Sequence, residues 1–286
     1  TSVTVPALFI GVVSYPGTRY VEAQGSDGLA ARLAAALMDR GRQCAVVVDT
    51  LNRLDTEQAP VTDEDVQASL SAQVRLASNW AHYLRTTPGF SVRSQAQSMS
   101  RWLRRGWQRL APPGKSMVER LLNIELAHQD LLRQGVASQA PWILIIEDDA
   151  SSTNIEDLAD GITKLLEQAK PSVQFINLSE SFGVSELGID HLMQDSDYPW
   201  HGSVKRAVLT AQRPVTNTVC AIAYRSSFAE HLLSTYASMP LRPVVPIDWK
   251  LNQALMSMYA AGPPTADSCW WVVPGPIDQL SMRGAS

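Results

Sequence analysis

Long apolar runs are what this sequence lacks first. No stretch approaches the roughly 20 consecutive apolar residues that cross a bilayer. No secretory leader precedes the first strand-like segment, Ala7 to Val13. Cysteine is scarce: Cys44, Cys220 and Cys269 fit no zinc spacing and sit in or beside apolar, strand-like stretches. They read as small core residues of a reducing compartment, with one disulfide left open as an alternative. An excess of positive charge is missing too. Lys and Arg number 24 against 28 Asp and Glu, a net charge of −4, which gives no global reason to expect a nucleic-acid partner. A phosphate-binding glycine loop is also absent. Gly114-Lys115-Ser116 has the ending of one, but Arg109 stands where that loop needs glycine, and no strand precedes it. These absences leave a cytoplasmic globular protein, 45% hydrophobic over 286 residues. That length suffices for one large or two small domains with a substantial core.

What is present begins as an alternation of strand and helix. The strand Ala7 to Val13 runs into a loop, Ser14 to Arg19. A helix over Gly28 to Arg40 carries Leu29, Leu33, Ala36 and Leu37 on one face and is closed by Gly41. A second strand, Cys44 to Val48, ends in Asp49. This βαβ order predicts a parallel sheet whose first loop faces a ligand. Between about Asp63 and Gln134 strand signals almost vanish and arginine concentrates. Later come a helix over Asn154 to Lys170, a strand over Val173 to Leu178 and a polar, aperiodic excursion over Ser181 to Pro214. A strand-like run from Val215 to Tyr224, helices over Ser226 to Tyr236 and Lys250 to Tyr259, and a last strand around Cys269 to Val273 complete the chain.

The segment with the most chemical content is Trp142-Ile143-Leu144-Ile145-Ile146-Glu147-Asp148-Asp149. Its apolar run is too short for a membrane helix and right for a buried strand. Three carboxylates follow it directly, and a buried strand cannot hold three adjacent charges without partners. They are expected to emerge together at the strand's carboxyl end, where open α/β sheets bind ligands. Clustered oxygen ligands there suit Mg²⁺ or Mn²⁺ and, through the ion, a diphosphate. The alternatives are a solvated acidic loop for the group and, for each carboxylate singly, a helix N-cap or a solvated loop.

The stretch from Arg101 to Arg109 interleaves arginine with Trp102, Leu103 and Trp107. A basic, Trp-bearing helix of this kind can lie on an anionic membrane, hold an anionic acceptor or stack on a nucleic-acid strand. It can equally be a packed helix with solvated arginines. His128 falls on a helical face beside Leu122, Leu126 and Leu131 and reads as a core residue that supports the site rather than a ligand.

From Glu119 onward the order of features resembles glycosyltransferase family 25, the lipopolysaccharide- and procollagen-type sugar transferases. In that family a His-bearing helix precedes a strand ending in Glu-Asp-Asp; here Asn123 to His128 precedes Leu144 to Asp149. The run Thr216 to Tyr224 resembles its Thr-rich strand, Pro246-Ile247-Asp248 its Pro-x-Asp step, and Pro274 to Ser281 its closing strand-Pro-loop. The likeness covers roughly the last 160 residues and the first βαβ unit, on pattern alone. The Arg-rich helical stretch departs from it. The family's third metal ligand, often a late His, has no counterpart after His231. Gln279 or water takes that place, or the metal is weakly held or absent.

The resemblance implies a GT-A-like, mostly parallel nucleotide-sugar-binding sheet flanked by helices, one domain over 1–286 with a helical, Arg-rich insertion over 63–134. It implies a transferase that moves a sugar from a nucleotide sugar, a UDP-sugar foremost, to a hydroxyl of a glycan or lipid-linked acceptor, with inversion. Asp149 would ligate a divalent metal, Mn or Mg, and Glu147 and Asp148 would ligate or bind the donor. Ser14, Tyr15, Arg19 and Asp49 would hold the nucleotide, and Asp248 would act as general base beside Trp249, an aromatic surface for a sugar ring. The competing functions are another phosphoryl-handling α/β enzyme and a non-catalytic protein that contacts a membrane or nucleic acid through the basic helices at 95–110. A lipid-linked acceptor would place the protein at the inner face of the membrane.

Overall fold

The five apolar residues of the central strand are buried from both sides, which only a sheet covered by helices on both faces can achieve. In the computed structural model the described residues are 5–15, 18, 20, 28–53, 60–87, 89–92, 96, 114–180, 183–211, 213–216, 218–262 and 268–283, without the side chains of 185, 186, 282 and 283. Arg19 and the basic run over 101–109 lie outside them.

The elements that matter here are β1 (Leu8–Val13), α1 (Leu29–Asp39), β2 (Cys44–Asp49), α2 (Asp63–Arg85), α3 (Lys115–Ala137), β3 (Trp142–Glu147), β4 (Ala150–Ser151), α4 (Ile155–Gln168), β5 (Phe175–Asn177), β6 (Met193–Asp195), β7 (Ala207–Ala211), β8 (Ala221–Arg225), α5 (Ser226–Ser238), α6 (Ile247–Ala261), β9 (Cys269–Val273) and β10 (Asp278–Gln279). Eight strands form one sheet in the order β2-β1-β3-β8-β5-β9-β7-β6, and β4 and β10 pair separately. β1 pairs in parallel with β2 and β3, and β5 with β9. β8 runs against both its neighbours, and β7 against both of its own. Only β7 and β8 are therefore reversed, so the expected mostly parallel, helix-flanked α/β sheet is what the chain forms.

The period-2 alternation of β3 divides its side chains between two cores. Ile143 and Ile145 join Leu131, Ile222, Phe228 and Leu251 under α3, α5 and α6. Leu144 and Ile146 join Leu33, Leu158 and Ile162 under α1 and α4. By the same alternation Glu147 is directed to the α3 side. The expected helix boundaries hold at α1, where the Arg42 N–H reaches back to Leu37 O and the Gly41 N–H to Met38 O, with Gly41 at φ 74°. That is the glycine-dependent closure of a helix end. α2 starts on a reciprocal cap between Thr62 and Asp65.

Three sequence expectations change. The excursion over Ser181 to Pro214 contains β6 and β7, which extend the sheet at its edge; β6 is three residues and β7 five, too short to stand out from the polar residues around them. The run from Val215 becomes strand only at Ala221, because Thr216 and Thr218 turn their hydroxyls onto neighbouring backbone groups. Within the Arg-rich stretch, α3 packs directly on β1 and β3 and so forms part of the layer covering the sheet. Where β1 passes beneath α3, a Cβ on Gly11 would come 3.2 Å from Leu131 Cβ.

Candidate functional site

β1, β2 and β3 are parallel and all end at one edge. Backbone bonds join those ends: the Ser14 N–H donates to Asp49 O (3.0 Å) and the Asp148 N–H to Val13 O (3.0 Å). Three expected contributors, the first loop, the end of β2 and the carboxylate run, are thereby neighbours. The reversed strand β8 enters at the same edge, and the Glu147 N–H donates to Cys220 O (2.9 Å).

The three carboxylates have different surroundings. Glu147 is half-buried; one oxygen accepts from Gln279 Nε2 at 3.2 Å, and the other lies 3.9 Å from His128 Nε2. Asp148 is buried against the first loop, with Ser14 Oγ donating to its Oδ2 at 3.4 Å and the Thr18 side chain also bonded to it. Burial raises its carboxyl above the ordinary aspartate range. The Thr18 bond, the Arg120 charge and Ser14 oppose that rise, and neighbouring Asp149 adds to it. Asp149 is 5% exposed, and its buried Oδ1 has no hydrogen-bond partner. Leaving such an oxygen unsatisfied costs about 1–3 kcal/mol.

Glu147, Asp149 and Cys220 present ligand atoms that all lie within 4.8 Å of one another. Two carboxylates and a thiol, one of them with an orphaned buried oxygen, fit a divalent cation. Glu147 and Asp149 would hold it by oxygen.

Arg120 places its guanidinium 4.7 Å from the centroid of the Tyr15 ring, so a cation stands over the first loop and acts on Asp148. The sequence marks Arg120 only as one arginine among many; nothing in its local pattern sets it apart, because the pairing joins α3 to the loop after β1. Thr18 lies in the first loop that the sequence marked, and Gln279 is the residue that the resemblance offered in place of a late His. Gln279 arrives because β10 pairs antiparallel with β4, Gln279 opposite Ala150, and the Leu280 N–H donates to Asp149 O at 2.9 Å.

Two further expected residues stand on neighbouring elements. The Asp49 carboxylate is taken up by Arg53, which meets Oδ1 at 3.0 Å and Oδ2 at 2.5 Å and also reaches Asp130 at 3.0 Å. The Arg53 N–H donates to Asn123 Oδ1, so Asp49 ties β2 to α3 beside the site. Asp248 is half-buried in the first turn of α6. Asn252, one turn later on the same face, donates to Thr216 O and accepts from the Thr216 N–H. Asp248 therefore stands on the face of α6 that meets the 216–220 segment, whose far end is Cys220. α6 is fixed there by Lys250, which pairs with buried Glu125 of α3, and by Ser69 of α2, bonded to Val244 O.

The chain matches no protein-family model and no curated relative. A solved structure of a glycosyltransferase involved in the glycosylation of the major capsid of PBCV-1 aligns over 82% of this chain and 69% of its own, at 8% identity and a TM-score of 0.33. A likeness that loose assigns neither family nor activity. No described helix is long and apolar enough to cross a membrane.

Proposed function

We propose that this protein is a glycosyltransferase that moves a sugar from a nucleotide sugar, a UDP-sugar foremost, to a hydroxyl of a glycan or lipid-linked acceptor. One observation carries the reading: the first loop and the carboxylate run meet through Asp148, with the Glu147-Asp149-Cys220 cluster beside them and Arg120 above. A nucleoside diphosphate needs just such neighbours, a polar loop for base and ribose and a charge-compensating centre for its phosphates.

In this reading Ser14, Tyr15 and Thr18 hold the nucleoside, and Tyr15, already covered by Arg120, offers a ring edge to the base. Arg19 belongs to the same loop in sequence. Arg120 meets phosphate oxygens. A divalent ion at Glu147 and Asp149, when bound, supplies positive charge to the leaving diphosphate. Asp248 accepts the proton of the acceptor hydroxyl. That oxygen bonds to the anomeric carbon as the carbon–oxygen bond to the diphosphate breaks, and the diphosphate departs with the electron pair. Attack from the face opposite the leaving group inverts the anomeric centre.

Titration calorimetry with UDP, in Mn²⁺ and in chelator, tests this directly. Binding strengthened by Mn²⁺ is expected. No heat in either condition would end the transferase reading, and equal affinity in chelator would remove the metal from it.

A further inference from the structure

We infer that Cys220 is a metal ligand, so that the centre at Glu147 and Asp149 is a mixed thiolate–carboxylate site that selects Zn²⁺ or Co²⁺ over Mg²⁺. The inference rests on reading this cluster as a metal centre and names the class of ion it takes. In the sequence Cys220 is a small apolar residue at the start of a strand. In the fold it is fully buried, yet its sulfur shares a 4.8 Å cluster with carboxylate oxygens of Glu147 and Asp149.

Cys220 belongs to the apolar core that also holds Leu144 and Leu158, yet its sulfur shares the cluster with two carboxylates. It gains much as thiolate to a shared cation. Two further observations point to a ligand there. Asp149 Oδ1 is buried and unpartnered, and so is His128 Nε2, which faces Glu147 from α3 at 3.9 Å. His128 is 2% exposed. An unpartnered acceptor within the cluster and an unpartnered ring nitrogen beside its Glu147 are both polar atoms that a bound ion and its shell would satisfy. Hard ions such as Mg²⁺ prefer oxygen-only shells, whereas thiolate shifts preference to softer, borderline ions. The backbone fixes the geometry: the Glu147 N–H donates to Cys220 O, and the Cys220 N–H donates to Thr218 Oγ1. The sulfur is thus held where β8 enters beside β3.

Cobalt titration of the purified chain, followed by absorption spectroscopy, tests the assignment. The expected result is a thiolate-to-cobalt charge-transfer band in the near ultraviolet. It disappears in Cys220→Ser and remains in Cys44→Ser, and cobalt affinity in Cys220→Ser falls about tenfold or more. X-ray absorption of the zinc-loaded wild type makes the test independent of any variant's folding, with a sulfur scatterer expected at about 2.3 Å. Cobalt bound with no charge-transfer band, a band that survives Cys220→Ser, or an all-oxygen and nitrogen shell would each overturn the role of Cys220 while leaving a metal at the carboxylates. No cobalt or zinc bound at all would overturn both.

Discussion

Two sets of buried carboxylates lie within this small region, and they are treated in opposite ways. Asp49 and Glu125 each own a cation: Arg53 grips both oxygens of the first, and Lys250 pairs with the second. Asp148 and Asp149 are buried as well, but Asp148 leans on hydroxyls and a more distant Arg120, and one Asp149 oxygen meets nothing. Burying a charge is tolerated only when it is paired or when something else completes it. The paired set is scaffolding, tying β2 and α6 to α3. The incomplete set is where a ligand's charge is expected. The same residue types in one region thus divide into scaffold and candidate site by how fully their charge is answered.

Removing a cation from the paired set is the hardest blow to that division. Lys250→Met strands Glu125, which is fully buried, and is expected to cost about 3–5 kcal/mol, seen as a large drop in thermal midpoint. Arg53→Met strands Asp49 and is expected to cost slightly less, since Leu51 still donates its N–H to Asp49 Oδ1. A normal melt for Lys250→Met would mean that Glu125 is not held as a charge at all.

Substitution in the incomplete set is expected to behave the other way. Asp149→Asn keeps the fold at wild-type stability or above it, because it removes an uncompensated buried charge, while UDP and metal affinity fall about tenfold to a hundredfold by calorimetry. Asp248→Ala is expected to leave UDP affinity alone and lower turnover about a hundredfold or more, the scale of general-base catalysis. Unchanged turnover in a folded Asp248→Ala protein would remove it as the base, and an unfolded Asp149→Asn protein would erase the contrast between the two sets.

The paired set should also show in pH. Burial raises the Glu125 carboxyl above its ordinary value against the opposing pull of Lys250 and the Gln129 hydrogen bond. The folded state therefore holds that proton more tightly than the unfolded chain. Its contribution is complete below the ordinary glutamate range and is lost as pH rises through the raised value. Melts across that window should show wild-type stability declining with pH, and a Glu125→Leu/Lys250→Met double variant should flatten the decline. An unaltered slope would put its origin elsewhere. The smallest effect belongs to Gln279→Ala, which removes one hydrogen bond to Glu147 and is expected to cost about 0.5–1.5 kcal/mol with a modest loss of metal affinity.

Much of the frame was legible in the chain. The βαβ opening, the buried strand over Trp142 to Ile146 and the emergence of Glu147, Asp148 and Asp149 at its carboxyl end follow from periodicity and from the cost of burying charge. That the first loop meets those carboxylates was implied only by the family resemblance, and the parallel pairing of β1 with β3 brings it about. Strands β6 and β7 were not legible, because three and five residues within a polar stretch are too few to carry a period. Asp49 was read as a nucleotide ligand, and what local sequence could not display was that Arg53, four residues later, turns back onto it.

By itself the sequence determined where charge had to surface, since an apolar strand cannot carry three carboxylates inward. Which of those charges would be answered, and by what, was decided only in three dimensions. Arg120 and Cys220, which nothing in the local pattern marked for the site, join Thr18 and Gln279 there from separate segments, and long-range packing, not local propensity, sets such encounters. The thiol of Cys220 shows the difference most clearly: as a letter it is a small core residue, and in the fold its sulfur lies within 4.8 Å of carboxylate oxygens from Glu147 and Asp149.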